Sequence, residues 1–153
     1  MKTIKVTALL TVLILVVGCG GGEPQSAKNK APKAEKDGLS AFQLEHGIGP
    51  ITEVVTISEL DAAAIEKGEN IFVMNCSACH KVDERYIGPA MVDVIGRRSP
   101  TYMMNMILNP DEMVKKHPEG KKMLAEFLSP MPNQNLSQED AHAVVQYLVS
   151  LKK

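Results

Sequence analysis

Apolar residues return at helical spacing through most of the second half of the chain. Leu60, Ala64, Gly68, Ile71 and Phe72 share one face of a helix predicted over residues 58–75, opened by a capping-box pattern running from Ser58 to Asp61. Ser99-Pro100 reads as an N-cap followed by proline in the first turn. Met103, Met104, Ile107 and Leu108 follow it, and Asn109-Pro110 stops that helix. Pro110 and Pro118 each open a further short helix, the second carrying Met123, Leu124, Phe127 and Leu128 before Ser129-Pro130 ends it. Ser137-Gln138-Glu139-Asp140 repeats the capping signature, and Ala141, Val144, Val145, Leu148 and Leu151 form an apolar stripe toward the C-terminus. Strand-like alternation is confined to residues 51–57 at most. The pattern predicts an all-α domain over residues 58–153.

The first part of the chain is patterned differently. Lys2 and Lys5 precede an apolar run over residues 7–17, which is short of the roughly 20 residues a membrane span needs. Residues 1–18 therefore read as a signal peptide. The run closes in Leu15-Val16-Val17-Gly18-Cys19, which resembles the lipobox of bacterial lipoproteins, and that resemblance implies a lipid on Cys19. The competing reading is an uncleaved N-terminal membrane helix. Either one puts the domain outside the cytoplasm, on the periplasmic or extracytoplasmic face of the cell envelope. Three glycines and a stretch of Lys, Ala, Pro, Glu and Ser follow to about residue 38, too polar to bury. As a tether they reach on the order of 25 Å. Residues 39–57 hold Phe42, Leu44, Ile48, Ile51, Val54 and Val55 among Gly47, Gly49 and Pro50, and read as an irregular extension along the domain. Residues 19–57 are thus anchor, linker and extension.

Composition narrows the class. A formal charge of -1 over 153 residues gives no field that would collect nucleic acid. With no Trp, three Phe and three Tyr, a domain of this size has little aromatic volume for a core, leaving room for a cofactor. Three cysteines cannot pair completely. If Cys19 is taken by the anchor, Cys76 and Cys79 remain for one shared task.

Those two lie in Cys76-Ser77-Ala78-Cys79-His80, the C-x-x-C-H signature of c-type haem attachment. Two thiols separated by two residues can form thioethers to the two vinyl groups of one porphyrin, and the adjacent His80 imidazole can reach the iron. A dithiol redox pair would want a βαβ setting, and a zinc site would want more ligands at suitable spacing. Neither setting accompanies this motif.

From this motif outward, residues 58–153 resemble class I cytochromes c. The resemblance implies a small fold of about four to five helices around one covalently bound haem c, with the N- and C-terminal helices crossing. Gly68 and Phe72 stand where the family's first helix meets its last, which makes Tyr147 and Leu148 their partners. Ile87-Gly88-Pro89 is similar to the family's Gly-Pro, whose Pro89 carbonyl would orient the ligating His80. Gly96-Arg97-Arg98 is similar to a Gly-Arg segment near a haem propionate, with Arg97 or its neighbour making the contact, a solvated surface pair being the alternative. Ser129-Pro130-Met131-Pro132 resembles the loop that supplies a methionine thioether as second axial ligand. Met131 is thus matched to that role, with Met123 second among nine methionines. His46, His117 and His142 receive ordinary structural roles.

With His80 and Met131 both on the iron, no position would be left for a small-molecule substrate, so the resemblance implies one-electron transfer to redox protein partners and no enzymatic reaction. Two alternatives differ from a mobile carrier. A tethered haem subunit of a larger respiratory enzyme would share the iron chemistry, whereas a haem enzyme or gas sensor would require Met131 to be off the iron.

Overall fold

The computed structural model describes residues 38–152. The expected signal peptide, the lipidation site Cys19 and the tether lie outside the described residues. Those described form seven α-helices and one π-helical turn, without strands. They are α1 (Ala41–His46), α2 (Ala62–Ile71) running into the π turn Phe72–Cys76, α3 (Met91–Arg97), α4 (Pro100–Leu108), α5 (Pro110–Lys116), α6 (Pro118–Phe127) and α7 (Gln138–Ser150).

Helix α7 forms through a reciprocal cap in which Ser137 Oγ accepts from the Asp140 amide and the Asp140 carboxylate accepts from the Ser137 amide. Its Ala141, Ala143, Val144, Val145 and Leu148 are buried against α2, α3 and α4. Helices α2 and α7 cross at Gly68, where a Cβ would fall 2.1 Å from the Ala143 carbonyl oxygen, so only glycine admits this approach. One turn on, the rings of Phe72 and Tyr147 pack with centroids 5.6 Å apart.

The start of α2 differs from expectation. Asp61, not Ser58, is the N-cap, its carboxylate accepting the Ala64 amide at 2.7 Å, and Leu60 is 49% exposed ahead of the helix. A contact remote in sequence fixes the position, because the Asp61 amide donates to Gln146 Oε1 on α7 at 2.9 Å. The remaining predicted starts hold. Ser99 caps α4 through the Tyr102 amide, and Pro110 and Pro118 open α5 and α6.

Residues 39–57 lie along this framework, and the possible strand at 51–57 is absent. Its backbone groups bond to side chains, not to a second strand. Asn105, fully buried on α4, accepts the Ile51 amide on Oδ1 and donates from Nδ2 to the Ile51 and His46 carbonyls, each at 3.0 Å. Thr101 Oγ1 accepts the Val55 amide at 2.8 Å, and Met113 sulfur meets the Ile48 amide at 3.0 Å. A Cβ on Gly49 would lie 2.3 Å from Asn105 Oδ1, so the chain passes this side chain at closest approach. His117, expected to have an ordinary structural role, is only 1% exposed. Its Nδ1 accepts the Glu119 amide and its Nε2 donates to the Leu44 carbonyl, so one neutral ring caps α6 and holds α1.

Candidate haem-binding site

The π turn at the end of α2 shapes the approach to the cysteines. The Ser77 amide reaches back five residues to the Phe72 carbonyl at 2.9 Å, and the amides of Cys79 and His80 both turn onto the Cys76 carbonyl. Such an expanded turn re-aims the following side chains by part of a turn, a device common beside functional sites. Cys76 and Cys79 are free and half-buried. Burial pushes the Cys76 thiol up to about 11, with Cys79 adding to it, so that thiol is protonated at neutral pH until it is alkylated.

His80 is held from two sides. Its Nδ1 donates to the Pro89 carbonyl at 3.1 Å, and its ring rests on Gly88, where a Cβ would lie 2.5 Å from Cε1. The Gly88 amide in turn donates to the Cys79 carbonyl at 2.9 Å, closing the loop beneath the imidazole. Burial lowers the pKa of His80 and so favours the neutral ring, against the opposing effect of the bond to Pro89; in that ring Nε2 is free as a donor to metal.

His80 forms part of one wall of a cleft of about 790 Å³, within the roughly 300–1,000 Å³ of small-molecule sites. Phe72, Val144 and Leu148 line it from the α2–α7 crossing, and Tyr102, Met103 and Ile107 from α4. Helix α6 and the loop after it contribute Met123, Phe127 and Met131. The structure thus gathers Cys76, Cys79, His80, Pro89, Arg97, Met123 and Met131 around one space. Met131 is half-buried and packs against the core, whereas His46, His117 and His142 do not line the cleft.

The two arginines differ in how they are engaged. Arg97 is exposed and donates from Nε to the Asp93 carbonyl of its own helix. Arg98 is better buried, pairs with Glu119 at 2.6 Å and stacks over the Tyr102 ring at 4.7 Å. Sequence reasoning missed Tyr102. It is 2% exposed and lines the cleft, yet its hydroxyl has no hydrogen-bond partner among the described residues, and burial raises its pKa so that it stays a donor. A buried hydroxyl without an acceptor costs about 1–3 kcal/mol. A carboxylate brought in by a cofactor would relieve that cost. Its only trace in sequence is a tyrosine in the first turn of a methionine-rich helix.

Two thiols at C-x-x-C spacing, an oriented neutral imidazole, an apolar cleft of suitable size and an orphaned hydroxyl together fit a covalently attached haem, and they define a c-type haem protein. Residues 65–152 match the cytochrome c family, and the chain belongs to it. It carries haem c and is a haem electron-transfer protein. Cytochrome c from Rhodothermus marinus is similar in structure, with a TM-score of 0.65 and 43% identity over 69% of this chain and 91% of that one. An engineered cytochrome c from the same organism gives 0.64 and 42% over 69% and 92%. An engineered form bound to a carbene intermediate gives 0.62 and 43% with the same coverage. No curated protein matches the chain.

Proposed function

We propose that the protein is a single-haem electron carrier, tethered to a membrane by a lipid on Cys19, that passes electrons one at a time between respiratory proteins on the extracytoplasmic side. One observation carries the reading: the loop bearing Met131 and the wall bearing His80 line the same cleft. When bound, haem supplies an iron that cycles between ferric and ferrous states by one electron. In this reading Cys76 and Cys79 hold the porphyrin covalently and His80 binds the iron through Nε2. The Pro89 carbonyl fixes the tautomer that frees that nitrogen. Met131, which lines the same cleft, would supply a thioether as second iron ligand, which would favour the ferrous state and so raise the potential. Tyr102 and Arg98 offer a donor and a positive charge to a propionate, the contact expected of Arg97 or its neighbour. The partners are redox proteins that dock without entering the site, and neither nucleic acid nor a small-molecule substrate has a part. The tether is supported by the apolar run and lipobox-like residues that end at Cys19.

The test is visible spectroscopy of the full chain carrying Cys19→Ser, made in a haem-maturing host, beside the same chain with Met131→Ala. A low-spin c-type spectrum with the weak red band of methionine bound to ferric iron, lost in Met131→Ala, is expected. A high-spin ferric spectrum in the parent would instead favour an enzyme or sensor with an open position. Loss of the band in Met123→Ala but not in Met131→Ala would move the ligand to α6. Incorporation of labelled fatty acid into the parent chain, absent in Cys19→Ser, checks the anchor.

A further inference from the structure

Helix α6 is a wall of the cleft that packs principally on α5 among the described helices. An arginine reaching from the His80 side fastens each of its ends. At the N-terminal end, Arg98 at the C-cap of α3 pairs with Glu119. At the C-terminal end, Arg85, five residues after His80, grips α6 in three ways. Its Nη1 lies 3.1 Å from Glu126 Oε1, its Nη2 donates to the Glu126 carbonyl at 3.2 Å, and its guanidinium carbon sits 4.2 Å from the centroid of the Phe127 ring. All three residues line the cleft. Immediately beyond this grip Leu128 turns left-handed at φ 55, 84% exposed, and the chain enters Ser129-Pro130-Met131.

We propose that Arg85 is a positioning residue for the sixth iron ligand. Its clasp holds the end of α6, and with it the loop carrying Met131, against the wall that carries His80. The clasp thereby keeps competing small ligands out of the cleft. The side chains are 57% and 50% exposed, and an exposed ion pair alone is weak. The planar fork and the aromatic face make this contact directional: lysine could keep the charge but could not make both hydrogen bonds while lying flat on the ring. The inference rests on the reading of Met131 as ligand, and the experiment separates the two.

Imidazole binding to the ferric full-chain holoprotein in detergent, followed by stopped-flow absorbance, reads how often the Met131 loop leaves the iron. Arg85→Ala should bind about fivefold faster, the combined worth of an exposed ion pair and a surface cation–π contact. Arg85→Lys and Glu126→Gln should fall between that and the parent, and the red methionine band should persist in all three. Lys67→Ala, which breaks an exposed ion pair on α2 away from the cleft, should keep the parent rate. If the Arg85 variants lower the melting temperature yet bind imidazole at the parent rate, the clasp is merely structural and the proposal fails. If Arg85→Ala does not accumulate as holoprotein, Arg85→Lys and Glu126→Gln decide by the same criterion. Met131→Ala serves as reference. Rapid binding there with unchanged rates at Arg85 overturns the clasp alone, and slow binding there overturns the ligand assignment beneath it.

Discussion

Replacing Gly68 with alanine tests the crossing on which the domain is built. The added Cβ would lie 2.1 Å from the Ala143 carbonyl oxygen, 2.5 Å from its carbon and 3.0 Å from Tyr147 Cβ. Carbon and carbonyl oxygen in close contact sit about 3.3–3.6 Å apart, so α2 and α7 would have to part by more than about 1 Å. A gap of that size forfeits a quarter to a half of the dispersion energy of each contact across it, including that between Phe72 and Tyr147. Overpacking of a core costs about 1–3 kcal/mol, and the backbone position of the obstacle puts this case at the upper end. Alanine returns about 1 kcal/mol through its better helix propensity. The net loss is about 2 kcal/mol, or a melting temperature lower by roughly 8 °C for a domain of this size. Far-UV circular dichroism of the ferric holoprotein measures it. Adding Ala143→Gly should restore nothing, because the clash is with backbone. A melting temperature for Gly68→Ala equal to or above the parent would refute the close approach.

Two other perturbations examine how the extension is held. Asn105→Ala leaves the Ile51 amide and the Ile51 and His46 carbonyls without their buried partner, at about 1–3 kcal/mol for each group not rescued by water. It should lower stability by about 3 kcal/mol and make residues 39–57 sensitive to protease at levels that spare the parent. Intact resistance would show that Asn105 is not what pins them. Burial lowers the pKa of His117 below its ordinary value, so on acidification the unfolded chain takes up the proton first. Its contribution to stability is complete above about pH 6.5 and is lost as the pH falls through the lower folded value. The melting temperature should decline from pH 7 to pH 5, and His117→Gln should flatten that decline. An unchanged slope would rule out His117 as its source.

Features built from neighbours in the chain were legible in sequence. The haem attachment motif is one, because the two thiols and the imidazole fall within five consecutive residues. The caps at Ser99 and Ser137 and the proline starts of α5 and α6 are others, because each satisfies amides two or three residues away or fixes its own φ. Helices α1 and α3 escaped notice, at six and seven residues too short to show a stripe. Their addition raises the expected four or five helices to seven among the described residues. The tertiary structure decided whatever depends on groups far apart in sequence. Asp61 displaced Ser58 as the cap of α2 because Gln146, 85 residues on, takes the Asp61 amide. His117 became a buried, neutral link because α1 folds over it and accepts its proton bond at Leu44. Arg98, not Arg97, was drawn onto Tyr102 and Glu119, and Arg85 onto Glu126 and Phe127. A sequence determines which groups can cap, ligate or bury within a turn or two, since covalent distance alone brings them together. Which distant side chains share a cleft is settled when the helices pack, since only then is solvent withdrawn and each buried group obliged to find a partner.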